Sequence, residues 1–185
     1  MTPRKVKHAT GKAAGEDKFR RLLTDFHKGR AGRAEVAKFI HTHSTSISLE
    51  SLLRSLRMLF PNATMTCHQG EVRVEVLCAT QARMERTKYE LVCLLFDEAD
   101  TFDTYNGEFF DDHPVTVMHI GGGRFAILDG HHRVRRYAEL TGGGQPMNVT
   151  TITSDDVDLT ARFREEVEDV RHEAGTSDVR ELRFL

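Results

Sequence analysis

Asp129, His131, His132 and Arg133 fall within five consecutive residues of the stretch AILDGHHRVRRYAEL, residues 126–140. An acid, two imidazoles and a guanidinium this close together have the chemistry of a phosphate-handling site. The acid can cap a helix, orient a histidine or hold Mg²⁺. The imidazoles can donate hydrogen bonds, bind a metal or move a proton near neutral pH. Arg133 offers a planar fork of donors suited to phosphate, and Gly130 allows a backbone conformation that a side chain would block. The plain alternative is a capped helix whose histidines are exposed.

The elements around the box decide how it is presented. Phe125 to Leu128 reads as a strand that runs into Asp129-Gly130, and residues 131–141 read as a helix stopped by Gly142 to Gly144. The histidines and Arg133 then sit in the first helical turn, where free amides and the positive end of the helix dipole welcome an anion. HPVTVMHI and RFAIL, joined by Gly121 to Gly123, predict a hairpin, MNVTTI predicts a further strand, and Leu159, Phe163, Val167 and Val170 predict a C-terminal helix over 157–173.

Upstream, Met65 and Cys67, then a Gln69-Gly70 turn, then Val72, Val74, Val76 and Cys78 alternate with polar residues and predict another hairpin. KYELVCLLF, residues 88–96, reads as a buried strand, and residues 97–112 read as an acidic loop that could serve as a lid. Phe19, Leu22, Leu23 and Phe26 mark a first helix, Val36, Ala37 and Ile40 a second, and Ser48 is the expected N-cap of a third that Pro61 closes. Helices first, then strands mixed with helices, predict an α+β fold: a small mixed β-sheet with an N-terminal helical extension and a C-terminal helix. The expected divisions are a mobile basic arm over 1–15, a basic helical segment over 16–61 and a body over 62–185.

At 185 residues, 39% apolar and 29% charged, the chain can bury a core. No run approaches the roughly 18 apolar residues of a membrane span. The basic start MTPRKVKHATGKAAGEDK has no apolar stretch behind it, so a cytoplasmic location is expected. Cys67, Cys78 and Cys93 are widely spaced and suit reduced thiols. Residues 1–60 hold 13 Lys and Arg against 5 Asp and Glu, a balance of +8, whereas residues 61–185 hold 13 against 23, a balance of −10. Such a basic segment can attract DNA or an acidic partner, or dock on its own acidic body. Three short helices with a basic surface also invite a helix-turn-helix reading, although nothing in the sequence fixes that turn.

LVCLLFDEAD, residues 91–100, looks like the acidic strand end of a P-loop helicase. A P-loop NTPase also needs G-x-x-x-x-G-K-[ST], and the chain's Gly11-Lys12 pair is followed by Ala13 and preceded by no strand. What remains is an apolar run that delivers Asp97, Glu98, Asp100 and Asp103 to a loop, where functional acids are often placed. A metal site from His113, His119, His131 and His132 is conceivable, but their spacing matches no closed zinc pattern.

Residues 114–152, PVTVMHIGGGRFAILDGHHRVRRYAELTGGGQPMNVTTI, resemble the ParB/sulfiredoxin superfamily, most specifically from Asp129 to Arg133. The resemblance implies a strand pair ending in the box, a helix, a Gly-containing turn and a strand, with nucleotide phosphates bound at the helix N-terminus. It makes Gly130, His132 and Arg133 the expected phosphate contacts, with Arg136 a helper one turn on. ATP or another nucleotide is the expected ligand, with Mg²⁺ held by Asp129, Glu98 or Asp100 and an attacking water positioned or deprotonated by His131 or His132. Members include CTP-dependent ParB clamps, sulfiredoxins, free-serine kinases, and nucleases or ATPases such as Osa-type plasmid proteins that block conjugative DNA transfer. This chain has histidine where sulfiredoxin chemistry needs cysteine, and only about fifty residues after the box, too few for the DNA-binding region of partitioning ParB proteins. The kinases use an early glutamate, a role that Glu98 or Glu108 could fill.

By size and elimination the Osa-like group fits best. The expectation is an ATPase that also cleaves DNA in plasmid or phage conflict, bound to DNA through its basic segment and to a protein partner in a transfer or secretion system. The alternatives are a small-molecule kinase with a serine-type acceptor and a non-catalytic, nucleotide-switched DNA-binding or adaptor protein.

Overall fold

Apolar residues three and four apart wind the N-terminal third into helices. In the computed structural model, which describes residues 10–43 and 47–185, α1 (Thr10–His27) turns Phe19 inward and α2 (Arg33–His43) buries Val36, Ala37 and Ile40. α3 (Leu49–Leu59) starts at Ser48, whose Oγ accepts from the Ser51 N–H, as a serine N-cap should. The arm expected over residues 1–15 lies outside the described residues as far as residue 9, and α1 includes residues 10–15.

The remaining elements are β1 (Met65–Arg73), a single 3₁₀ turn (Val74–Val76), β2 (Leu77–Cys78), β3 (Arg83–Met84), α4 (Arg86–Leu95) and α5 (Phe102–Phe110). They continue with β4 (Thr116–Gly121), β5 (Arg124–Asp129), α6 (His131–Thr141), β6 (Pro146–Ser154), α7 (Val157–Ala174) and β7 (Arg183–Phe184). Among the described residues these make seven helices and a mixed five-stranded sheet in the order β1-β6-β4-β5-β2, with a parallel β3-β7 pair beside it. β1-β6 and β4-β5 are antiparallel, β4-β6 and β2-β5 parallel. The chain is therefore an α+β fold with N-terminal helices and a C-terminal helix.

One apolar cluster joins α1, α2, α4 and α6 through Phe19, Ile40, Val92, Phe96 and Val134. A second joins Leu56 of α3, Met118 and Ile152 of the sheet and Leu159 and Val167 of α7. The basic helices thus share their core with the acidic body. Arg33 ties the two further: it pairs with Asp97 at 2.5 Å, donates to the Leu95 carbonyl at 3.3 Å and lies over the Tyr105 ring.

Three local expectations are corrected. KYELVCLLF forms α4, because Tyr89, Val92 and Phe96, with Leu91 and Leu95, recur at helical spacing on one buried face. A short apolar run has the same composition in a buried strand and in a buried helix, so composition alone misleads there. Gln69-Gly70 makes no turn: β1 passes through it unbroken and pairs with β6 from Met65 to Arg73, Gly70 lying opposite Val149. The acidic loop is in part helical, since Phe102 and Phe110 anchor α5 in the core. Cys67 is exposed, Cys78 buried and Cys93 half-buried, all three as free thiols.

Candidate functional site

β5 delivers Asp129 at its last residue, and the chain then turns at Gly130 into α6. That turn needs glycine twice over. Its φ of 99° lies in the left-handed region, and a Cβ there would stand 2.9 Å from Cγ2 of Val115. The first residues of α6 line a cavity of about 370 Å³, whose walls include Thr80, Glu85, Lys88, Phe110, Asp129 and His132. Val134 N–H bonds back to the Gly130 carbonyl, while the amides of His131, His132 and Arg133 have no partner among the described residues. These are the orphan donors of a helix start, placed on the cavity wall.

The box side chains are mostly committed to the fold. His131 is 7% exposed and its Nε2 accepts the Thr80 N–H at 3.1 Å, so the ring proton belongs on Nδ1. Burial, reinforced by His132 and Lys88, pushes His131 down to about 3. His132, 8% exposed, donates from Nε2 to the Glu85 carbonyl at 3.2 Å, and burial with the nearby Lys88 lowers it to about 4. Both imidazoles are therefore neutral at pH 7, and neither Nδ1 has a hydrogen-bond partner among the described residues: in His131 that nitrogen carries the proton, in His132 it is the acceptor.

Arg133 is 5% exposed in its side chain. Its Nη2 meets Asp129 Oδ2 at 3.0 Å, its Nη1 donates to Asn106 Oδ1 at 2.7 Å, and its face covers the Phe110 ring. Burial pushes this guanidinium down, against the pull of Asp129. Asp129 in turn spends Oδ2 on Arg133, and its Oδ1 has no partner among the described residues.

The residues expected around the box divide into two groups. Asp129, Gly130, His131, His132 and Arg133 all line the cavity. Glu98, Asp100 and Arg136 do not line it. Glu98 and Asp100 are exposed beyond the C-terminus of α4, and Arg136 donates from Nε to the Phe96 carbonyl at 2.7 Å. With Arg33 on Leu95, Arg136 satisfies carbonyls that the end of α4 leaves free, where positive charge is favoured. Among the described residues no group of three or more His, Cys, Asp and Glu side chains is placed to hold a metal ion. His113 packs at a tilt against His41, and His119 against Phe125.

Lys88, Glu85 and Asn106 are not foreseen from residue type or spacing. Lys88 lines the cavity and its ammonium has no hydrogen bond or ion pair among the described residues. Burial lowers its pKa against the opposing pull of Asp129. Glu85 also lines the cavity, and its Oε1 accepts the Thr87 hydroxyl at 3.0 Å. Glu85 caps the start of α4 and Lys88 opens the run 88–96 that reads as a strand in sequence, and neither carries a spacing signal toward residues 129–133.

Arg83, Lys88 and Arg133 line this half-enclosed space together with Glu85, Asp129 and Leu185, and the start of α6 forms one wall. Such a space suits an anion that carries several acceptor oxygens. No family model matches the chain, and comparison with curated proteins and with solved structures finds no match either.

Proposed function

We propose that the cavity binds a nucleotide by its phosphates and hydrolyses it, with ATP as the first candidate. The observation that carries this reading is that the start of α6, whose first three amides have no partner among the described residues, and the half-buried Lys88, likewise without one among them, line the same cavity. Burial disfavours that ammonium more than the pull of Asp129 and Glu85 favours it, so an anion in the cavity would stabilise it. The resemblance of the DGHHR box to the ParB/sulfiredoxin superfamily points to the same ligand.

Phosphoryl transfer depends mainly on positioning and on neutralising charge. The amides of His131, His132 and Arg133 hold the phosphate oxygens, and Lys88 offsets the charge that develops on them. Mg²⁺ accompanying a nucleotide takes most of its shell from phosphate oxygens and water and needs one or two carboxylates. Asp129, through its free Oδ1, and Glu85 fit that need. When bound, the ion adds positive charge beside the transferred group. The carboxylate that does not hold it, or His132 through Nδ1, orients the water. His131 fixes the loop at Thr80 and takes no proton at neutral pH.

DNA enters this proposal as a second ligand of the basic N-terminal helices. Arg20, Arg21 and Lys28 are exposed on α1 and the turn after it, and each is free of ion pairs among the described residues. Their charge suits a phosphate backbone and no particular base sequence. Cleavage of that DNA, and a role in blocking conjugative transfer, belong to the same proposal and rest on the resemblance alone.

The test is phosphate release from ATP, CTP and GTP with Mg²⁺, with and without DNA, in the wild type and in Lys88→Ala. Lysine-dependent release supports hydrolysis at this cavity, and release unchanged in Lys88→Ala would sink it. Lysine-dependent binding without release would make the box a ligand switch, and phosphorylation of added serine faster than transfer to water would make the chain a kinase.

A further inference from the structure

We propose that Asn106 is a positioning residue: by occupying one arm of the Arg133 fork it keeps Asp129 Oδ1 free for the ligand in the cavity. This rests on the reading of the cavity as a phosphate site.

A guanidinium beside a carboxylate tends to close two parallel N–H···O bonds on it. In this box Arg133 makes a single contact with Asp129, Nη2 to Oδ2 at 3.0 Å, while Nη1 goes to Asn106 Oδ1 at 2.7 Å. The Phe110 ring, 4.4 Å from the guanidinium carbon, covers its face. Arginine only donates, so the Asn106 amide must present its oxygen and has one orientation available. The outcome is a divided fork: one arm on α5, one on Asp129, and Oδ1 of a cavity-lining acid left without a partner among the described residues.

The element that carries Asn106 is firmly held. Phe102 and Phe110 are buried, Asp103 Oδ2 accepts from Asn148 Nδ2 at 2.8 Å, and His41 Nε2 donates to the Phe109 carbonyl at 2.6 Å. Asn106 and Phe110 stand four residues apart on α5, so both meet the same guanidinium. Without the Asn106 oxygen, a buried Nη1 donor would have no partner, and the nearest remedy is the second oxygen of Asp129. That rearrangement would take from the cavity the Asp129 oxygen that is left without a partner among the described residues. A role confined to tying α5 to α6 would lower stability on removal of Asn106 and leave the contact between Arg133 and Asp129 as it is.

The experiment compares Asn106→Ala with Asn106→Asp, which keeps an acceptor of the same reach. Crystal structures should show Arg133 closed on both oxygens of Asp129 in Asn106→Ala and still divided in Asn106→Asp. In phosphate release, Asn106→Ala should lose about tenfold or more in kcat with KM within about twofold, and Asn106→Asp should recover most of the loss. A single contact retained in Asn106→Ala, an undiminished kcat, or an Asn106→Asp variant as impaired as Asn106→Ala would overturn the proposal. Should Asn106→Ala not fold, Asn106→Ser, polar but too short to reach Nη1, is read the same way. If the wild type releases no phosphate, the hydrolysis reading alone fails, and the crystallographic contact still decides the role of Asn106.

Discussion

Lowering the pH from 7.5 to 5 should remove about 4 kcal/mol of stability through the two histidines of the box. Both are buried, and burial holds His131 near 3 and His132 near 4, down from 6.5. Above pH 6.5 both are neutral in the folded and the unfolded chain and add no slope. Between 6.5 and the folded values only the unfolded chain takes up the protons, so stability falls as the pH falls, by about 1.4 kcal/mol per unit for each histidine. At pH 5 this amounts to about 2 kcal/mol for each, a large part of the 5–15 kcal/mol by which domains are typically stable. His113, lowered by burial and by His41, acts in the same direction. Urea unfolding followed by circular dichroism at pH 7.5, 6.5, 5.5 and 5 measures the slope above the range where ordinary carboxylates titrate. The control is the double variant His131→Gln, His132→Gln. Its amides can still accept the Thr80 N–H and donate to the Glu85 carbonyl, but they do not titrate. A wild-type stability flat to within about 1 kcal/mol, or a double variant with the same slope, would refute the burial reasoning.

Gly130→Ala should cost about 2–5 kcal/mol, since it combines a left-handed backbone with overlap against Val115, and adding Val115→Ala should recover only the overlap part; a thermal melt within a degree of wild type would contradict it. Arg136→Ala should cost about 1–3 kcal/mol by freeing the Phe96 carbonyl, while Glu98→Gln and Asp100→Asn should leave stability near wild type. None of these last three should change phosphate release, and a loss of turnover in any of them would return that residue to the site.

The sequence made the β4-β5-α6-β6 run readable because its signals agree with one another. Three glycines punctuate the hairpin, Asp129-Gly130 starts the helix and Gly142 stops it, and each signal acts over a few residues. Region 65–112 was harder because its signals conflict. Gln69-Gly70 has turn composition, but nine pairings with β6, contributed by residues about 80 positions away, hold Gly70 extended. Residues 88–96 are apolar enough for a strand, and the helical spacing of Tyr89, Val92 and Phe96 becomes decisive once α4 packs against α2 and α6. The box itself was located by residue type alone. The tasks of its members were not, because the partners that set them, Asn106, Thr80 and the Glu85 carbonyl, come from segments whose sequence carries no sign of the meeting.

That meeting changes which atoms are available for chemistry. In sequence, the strongest phosphate ligand of DGHHR is its arginine, the residue with the most donors. Folded, Arg133 is the most buried charge of the five residues and has its partners inside the protein, so drawing it onto a ligand would strand Asp129 and Asn106. A buried ion pair broken on one side costs about 3–5 kcal/mol, more than one phosphate contact returns. In the proposed binding the three α6 amides and Lys88 have the least to lose, and Arg133 would act through the carboxylate it orients. The same logic applies to the Nε2 atoms of the histidines, which are spent on Thr80 and on the Glu85 carbonyl before any ligand arrives. DGHHR thus supplies the rigid frame of the cavity, and α4 supplies, through Lys88, the charge that a ligand would meet first.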